Sequence, residues 1–370
     1  MTRRIHVGDV AVGGGAPVVV QSMCNTPPED VAGTLAQIGR LAALGCRIIR
    51  CALPRESAVA PFREICAGSP LPVIADIHFD YRLALSALSA GAAGVRINPG
   101  NIRSADGIRQ VAECAAQRDA AVRIGVNMGS LSPQSQSRHG RTAEAMVASA
   151  LEYLAFFEDA GCRNLKVSLK SSSISETVAA CRRFHELSQW PQHIGLTESG
   201  TPETGVIKSA IAIGSLLMDG IGDTIRVSLT APPEAEIPAA YRILDALGLR
   251  PGRPQLVSCP TCGRTRIDLI RLAGEVENAV NRILASGRRL NLKKIAVMGC
   301  EVNGPGEAAD ADLGIAGGNG RGMFFSHGRV IRTFPESELL PRVLEELEKH
   351  IADPSLTPSP AMGAGEGAPQ

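Results

Sequence analysis

Through the first two thirds of the chain, short apolar runs rich in β-branched residues alternate with longer Ala- and Leu-rich stretches at helical spacing. The short runs predict strands at Pro17–Met23, Arg47–Ala52, Leu71–Phe79, Gly94–Pro99, Val122–Met128, Leu165–Lys170, His193–Glu198 and Thr224–Thr230. The longer stretches, such as Pro28–Leu44, Thr142–Ala160 and Glu203–Asp219, predict the helices between them. Eight βα units in roughly 250 residues is the size of a (β/α)8 barrel. A doubly wound sheet is the alternative, but no Gly-rich dinucleotide turn follows the first strand. The barrel is therefore expected over residues 1–250.

The pattern changes at Pro251-Gly252-Arg253-Pro254, a linker signal. Beyond it the chain predicts a strand, a helix over Asp268–Ala285 and a strand at Lys294–Met298. Short strands follow around Gly314–Ala316, Met323–Ser326 and Val330–Phe334, and a last helix covers Glu336–Ile351. This reads as a small α+β domain over 255–352. From Asp353 onward Pro, Ser, Gly and Ala dominate, which predicts a disordered tail over 353–370.

Residues two apart in a strand share a face. By that rule Arg96 pairs with Asn98, Arg123 with Asn127, Asp76 with His78, Arg226 with Ser228, and Lys166 with Ser168 and Lys170. Arg50 sits near the end of the second strand, and Thr197 and Glu198 close the seventh. Barrel active sites lie at the carboxyl ends of the strands. Arg50, Arg96, Arg123, Lys170 and Arg226 would converge on one mouth with few acids to neutralise them. Any one of them reads equally well as half of a structural ion pair, but five on five strand ends are costly to bury without a counterion. The mouth is expected to take a small multiply charged anion, most simply phosphate or diphosphate. Lys166 lies deeper along the pleat and is expected to pair with an internal acid. His78 reads as a base or as a satisfied core histidine, and Asp76 and Glu198 as proton-transfer groups or structural carboxylates.

Composition narrows the function. The chain has 370 residues, a net charge of +1, 20% charged residues and 3% aromatic residues. That balance gives no reason to expect nucleic acid or membrane binding. Apolar runs are too short for a transmembrane span, and Met1-Thr2-Arg3-Arg4 precedes no long apolar region. A cytoplasmic setting, with reduced thiols, is the expectation. Seven of the ten cysteines, Cys24 and Cys51 among them, are scattered without metal-ligand spacing, and most of them read as small buried apolar residues.

The other three form a constellation: Cys259-Pro260-Thr261-Cys262, then Cys300 in the Gly/Pro-rich run Gly299–Glu307. Three thiolates leave one coordination position for a harder ligand, water or substrate. Zinc would want a fourth Cys or His, for which His327 is the nearby candidate. An iron–sulfur cluster would accept Glu307. Spacing alone leaves both open.

These motifs resemble the 4-hydroxy-3-methylbut-2-enyl diphosphate synthases, in their bacterial two-domain form. The resemblance spans nearly the whole chain except the tail. It rests on Val20-Gln21-Ser22-Met23, Ala75–Asp80, Arg96–Asn101, Arg123–Asn127, Gly222–Ser228, Cys259–Cys262 and Asn303–Glu307. It implies a barrel that binds 2-C-methyl-D-erythritol 2,4-cyclodiphosphate and a small domain that carries a [4Fe-4S] cluster on Cys259, Cys262, Cys300 and Glu307. It implies reductive ring opening with loss of water, fed by flavodoxin or ferredoxin. A homodimer is implied, in which the cluster domain of one subunit caps the barrel of the other. By motif position Arg50, Arg96, Asn98, Arg123, Asn127, Lys170, Arg226 and Ser228 would hold the cyclic diphosphate. Thr197 and Glu198 would face its hydroxyl side, with Glu198 the candidate proton donor, and Asp76 and His78 would join the lining. The segment between Cys262 and Cys300 departs from the family by extra residues around Ala285–Leu292, and Cys24 and Cys51 are expected to have no ligand role.

Two other readings compete. One is a non-redox barrel enzyme, aldolase-like or a pterin-type transferase, with a structural zinc appendage and Lys170 as a Schiff base. The other is a phosphometabolite-binding or iron-carrier protein without turnover, which would not need Glu198.

Overall fold

A computed structural model describes residues 1–102, 104–131, 136–138, 140–300, 306, 308–318 and 320–352. The expectations placed on Asn303, Gly304, Pro305, Glu307 and the tail lie outside the described residues. The chain divides between Leu249 and Arg250 into two compact units.

The first unit opens with a hairpin, β1 (Ile5–Val7) and β2 (Val10–Val12), turned at Gly8-Asp9. Ile5, Val7, Val10 and Val12 are buried in the barrel core. The hairpin is anchored where His6 N donates to Asn164 Oδ1 at 3.0 Å. Eight strands then alternate with helices: β3 (Val19–Met23), β4 (Ile48–Ala52), β5 (Val73–Ile77), β6 (Gly94–Ile97), β7 (Ala121–Asn127), β8 (Leu165–Lys170), β9 (His193–Ile194) and β10 (Thr224–Ile225). They pair in parallel in the order β8-β7-β6-β5-β4-β3-β10-β9. An isolated parallel bridge, Val167 with Gln192, joins the two ends of that row. The intervening helices are α1 (Val31–Ala43), α2 (Val59–Gly68), α3 (Tyr81–Ser89), α4 (Ala105–Gln117), α5 (Ala143–Asp159), α6 (Ile174–Leu187), α7 (Pro202–Met218) and α8 (Glu236–Ala246).

Local sequence explains the helix starts. Asp30, Asp80, Ser104, Thr142 and Ser173 each accept a hydrogen bond from a first-turn backbone N–H, which satisfies a donor the helix leaves open. Outward residues of the strands, such as Val95, Ile97, Val122, Ile124, Val167 and Leu169, are buried in the core shared with the helices. Towards the carboxyl ends of the strands the inward residues Arg50, Asp76, Arg96, Arg123, Ser168 and Lys170 are polar, which is unusual for a barrel interior normally filled by branched apolar side chains.

Two strands are shorter than the apolar runs predict. β9 was expected to reach Glu198 and β10 to reach Thr230, yet their ladders stop at Ile194 and Ile225. Gly195 follows at φ +150°, and a side chain there would overlap the Arg226 carbonyl oxygen. Gly195 thus takes a backbone conformation outside the regular pleat, and the ladder between the two segments ends there.

The second unit is a five-stranded sheet in the order β11 (Gln255–Ser258), β12 (Lys294–Met298), β13 (Leu313–Gly318), β14 (Arg321–Ser326) and β15 (Arg329–Pro335). The first two pairings are parallel and the last two antiparallel. On one face α9 (Leu269–Ala285) and α10 (Leu339–Lys349) form an apolar core around Val276, Val280, Ile283, Val343 and Leu347. A smaller apolar cluster of Ala296, Met298, Ala316, Met323 and Phe325 packs with Cys259. No helix among the described residues is long and apolar enough to cross a membrane.

Candidate functional site

The strand ladder sets the cations side by side. Met23 is opposite Arg50, Ala52 opposite Asp76, Asp76 opposite Arg96, Arg96 opposite Arg123, and Asn127 opposite Lys170. His78 and Asn98 lie one residue past β5 and β6, and Arg226 and Ser228 lie just past β10. Except for Met23 and Ala52, these residues line, together with Thr197, one cavity of about 270 Å³ at the carboxyl end of the barrel. All eleven residues expected to contact the substrate are in that lining. Asn101, Ser168 and Leu196 line it too. Asn101 stands within a quoted motif, and Ser168 shares the Lys166–Lys170 face, so both had a sequence signal.

Glu198 is not in that lining. It lines an adjoining cavity of about 490 Å³ with Arg141, Ser171 and Glu176, and this cavity shares Asn127, Lys170 and Thr197 with the first. Glu198 has φ +55°, a conformation a non-glycine residue rarely adopts. Strain of that kind clusters at functional sites.

Two carboxylates organise the guanidinium groups. Asp76 lies 3.8 Å from Arg50, 3.5 Å from Arg96 and 3.2 Å from His78 Nε2. Burial pushes its carboxyl up, but Arg50, the His78 hydrogen bond and Arg96 outweigh burial and hold it well below the usual range. Glu236, at the start of α8, takes Arg226 at 3.3 Å. Between the two groups the Met23 thioether receives Arg50 Nη2 at 2.8 Å and Arg226 Nη1 at 3.7 Å. Sequence reading missed Glu236 and Met23 as site residues. Met23 stands in a quoted motif, whereas Glu236 begins a helix in an Ala- and Pro-rich context and carried no signal.

Five cations against these two carboxylates leave a formal excess of three positive charges. Arg123 is 2% exposed, and among the described residues its Nε and Nη1 have no hydrogen-bond partner. Burial and the neighbouring Arg50 and Arg96 hold its guanidinium well below the ordinary range. Burial and Arg123 do the same to Lys170. Burial lowers Arg50 to about 10. Such a mouth is unfavourable empty and favourable around an anion.

Gly125 makes room for one of these groups. A Cβ there would lie 2.7 Å from Arg96 Nε. Gly125→Ala is expected to push the Arg96 head aside while leaving the melting temperature within a few degrees. Affinity for the multiply charged anion expected there should fall about tenfold, roughly 1.4 kcal/mol, by titration calorimetry.

Below the mouth lies a deeper polar pair. Lys166, beside Arg123 in the ladder, is wholly buried. The internal acid expected for it is missing: among the described residues its Nζ has no hydrogen-bond partner. Burial, then Arg123 and Arg50, lower its amine to about 7. His193 Nδ1 is 2.9 Å from Thr224 Oγ1, and burial keeps this ring neutral. Between about 7 and 10.5 the unfolded chain holds the Lys166 proton that the folded chain has lost, so this group makes stability rise with pH across that window. Lys166→Met is therefore expected to raise the melting temperature of the ligand-free protein. The gain should be largest near pH 7 and shrink towards pH 10, as read by thermal melts of both proteins across that range.

In the second unit the three cysteines come from adjacent parallel strands. Cys259 and Cys262 follow β11 and Cys300 follows β12, with Ser258 opposite Val297. Gly299 N donates to Cys259 Sγ at 3.2 Å. Arg266 N donates to the Gly299 carbonyl, which ties the loop after Cys262 to the turn before Cys300. Cys262 is turned by Thr265, whose Oγ1 accepts from Cys262 N at 3.1 Å. The Arg264 backbone N–H holds the exposed Cys262 thiol below its ordinary range, as suits a metal-binding thiolate. Among the described residues no three His, Cys, Asp or Glu side chains gather round one point. His327 lies 4.0 Å from Asp312, and its side chain is largely exposed. Glu307 is outside the described residues.

Comparison with known proteins follows the same division. Residues 2–241 match the family described as the GcpE TIM-barrel domain, and residues 255–349 match the GcpE protein C-terminal domain. The chain is 50% identical over 354 residues to the 4-hydroxy-3-methylbut-2-en-1-yl diphosphate synthase (flavodoxin) of Maridesulfovibrio salexigens, covering 95% of this chain and 97% of that protein. It is 50% identical over 353 residues to the enzyme of the same name from Geobacter sulfurreducens, covering 95% and 98%. It is 47% identical over 361 residues to that of Lawsonia intracellularis, covering 96% and 98%. With a barrel and a C-terminal domain that both match, and relatives aligned over nearly its full length, the chain belongs to the GcpE family of 4-hydroxy-3-methylbut-2-en-1-yl diphosphate synthases.

Proposed function

We propose that the barrel mouth of this chain binds 2-C-methyl-D-erythritol 2,4-cyclodiphosphate, and that Cys259, Cys262, Cys300 and Glu307 hold a [4Fe-4S] cluster. The reaction is that of the family, an oxidoreductase step: the cyclic diphosphate is opened reductively, loses water and yields 4-hydroxy-3-methylbut-2-enyl diphosphate. Family membership removes the non-redox barrel with a zinc appendage, and with it the Schiff-base role for Lys170. The observation that carries the substrate assignment is the excess of three cations around a cavity lined by all five of them and by Asn98, Asn127, Thr197 and Ser228.

The residues divide the work by charge and reach. Among the described residues Arg123 has two nitrogens without hydrogen-bond partners, and Lys170 lines both cavities, so these two suit the phosphate oxygens. Arg50, Arg96 and Arg226 are each already held by a carboxylate and offer their remaining N–H groups from fixed positions. Asp76 and His78 support them from within the lining. Thr197 and Glu198 border the adjoining cavity, and Glu198 is the group we assign as proton donor there. When bound, the cluster supplies the two electrons one at a time. Electrons come from flavodoxin, with ferredoxin as the alternative donor, and the working form is a cytoplasmic homodimer.

The test is metal and sulfide analysis of anaerobically purified protein with a visible spectrum. A brown protein with about four irons per chain supports the assignment. A colourless protein loaded with zinc contradicts it.

A further inference from the structure

Arg226 and Ser228 both line the mouth, yet neither is in the sheet. The β10 ladder covers only Thr224 and Ile225, and the chain beyond it is irregular. Arg226 N still donates to the Ile194 carbonyl at 3.1 Å, and Thr230 N to the Gly200 carbonyl at 2.9 Å. Between these two points a different group takes over from the missing ladder.

That group is Glu236, which is 3% exposed. Its Oε2 accepts from Arg226 Nε at 3.3 Å and from Ser22 Oγ at 3.2 Å. Its Oε1 accepts from Arg226 Nη2 at 3.4 Å and from the Leu229 backbone N–H at 3.1 Å. One carboxylate thus holds the Arg226 head side-on and fixes the backbone directly after Ser228. It is itself fixed from behind by a wholly buried serine on β3. It also stands at the first residue of α8, where the helix dipole favours a negative charge. A guanidinium among like charges needs such a hold, because repulsion from Arg50, Arg96 and Arg123 would otherwise turn it towards solvent.

We propose that Glu236 is a positioning residue for substrate binding, acting through Arg226 and the Ser228–Leu229 turn without touching the substrate. Ser22 is its anchor, which gives the Val20–Met23 motif a second use beside the Met23 contact. The proposal rests on the substrate reading given above.

The experiment is a double-variant cycle on the cluster-loaded protein, with Kd for 2-C-methyl-D-erythritol 2,4-cyclodiphosphate from calorimetry and KM and kcat from turnover. Glu236→Gln is expected to raise Kd and KM about 10- to 50-fold and to change kcat by less than about threefold. On an Arg226→Met background the same substitution should change Kd by less than about threefold, because the group it positions is gone. Equal losses on both backgrounds overturn the positioning role, as does an unchanged Kd for Glu236→Gln alone. If Glu236→Gln does not fold, Ser22→Ala removes only the anchor. It should raise Kd about three- to tenfold, and only where Arg226 is present; no change overturns the proposal. Wild-type protein that binds none of the cyclic diphosphate overturns the substrate reading itself, an outcome distinct from normal wild-type binding with additive variants.

Discussion

Cys300→Ser is expected to give a folded protein that holds no cluster and turns over at least about 10³-fold more slowly, a loss of about 4 kcal/mol in transition-state stabilisation. The turn that carries Cys300 explains the size of the effect. Gly299 donates to the Cys259 sulfur and accepts from Arg266, so the third thiol is built into the same hydrogen-bonded end of the sheet as the other two. A serine oxygen in that place is a hard, poorly acidic ligand where iron in a cluster takes thiolate. The fold should survive, because the main apolar core of this unit, between the sheet and α9 and α10, does not include Cys300. Iron and sulfide content after anaerobic reconstitution, the visible spectrum and turnover are the readouts. Full iron content with wild-type turnover would sink the ligand assignment.

Arg123→Met is expected to act in opposite directions on stability and binding. In the ligand-free protein it removes a charge that is almost wholly buried, has two nitrogens without a hydrogen-bond partner among the described residues and lies beside Arg50 and Arg96. Replacing such a group by an apolar one of similar length stabilises the folded chain by about 1–4 kcal/mol. Towards the cyclic diphosphate the same change removes a desolvated cation with free donors. It should raise Kd about 10²- to 10³-fold, roughly 3–4 kcal/mol. Thermal melts with and without the cyclic diphosphate read both effects. The variant should melt higher than wild type without ligand and gain far less from it. A lower melting temperature with unchanged affinity would make Arg123 a structural residue and empty the anion site of its deepest donor.

The parts of the fold legible in the sequence are those where one face is apolar and the other polar over several residues. β8 begins and ends where the apolar run predicts, and β12 does too, because nothing interrupts their pleat. β9 and β10 were overestimated because their apolar runs continue past the point where Gly195 leaves the pleat at φ +150°, a backbone conformation that an apolar run does not signal. The N-terminal hairpin has an alternating pattern around Gly8-Asp9, but its strands are only three residues each and fall below the length at which periodicity separates from chance.

In the site, the cations were legible because inward positions of a barrel strand recur every second residue, so Arg96, Arg123 and Lys170 declared their face. Glu236 was not, since it is brought to Arg226 by the packing of α8 rather than by strand periodicity. Lys166 shows the other limit. The pleat placed it inside, but whether an acid would meet it there depended on the neighbouring strands, and Arg123 meets it instead. The cysteines were legible as a set from spacing, whereas the choice between zinc and a cluster came from the family.

The central claim is that one chain joins a cationic barrel mouth to a three-thiolate cluster site in order to open a cyclic diphosphate reductively. Anaerobic turnover of 2-C-methyl-D-erythritol 2,4-cyclodiphosphate by the reconstituted protein with reduced flavodoxin, followed by mass spectrometry of the product, tests it most directly. The account predicts 4-hydroxy-3-methylbut-2-enyl diphosphate, formed only with reductant and lost in Cys300→Ser. Cyclic diphosphate that stays intact before a fully iron-loaded, reduced protein would contradict it.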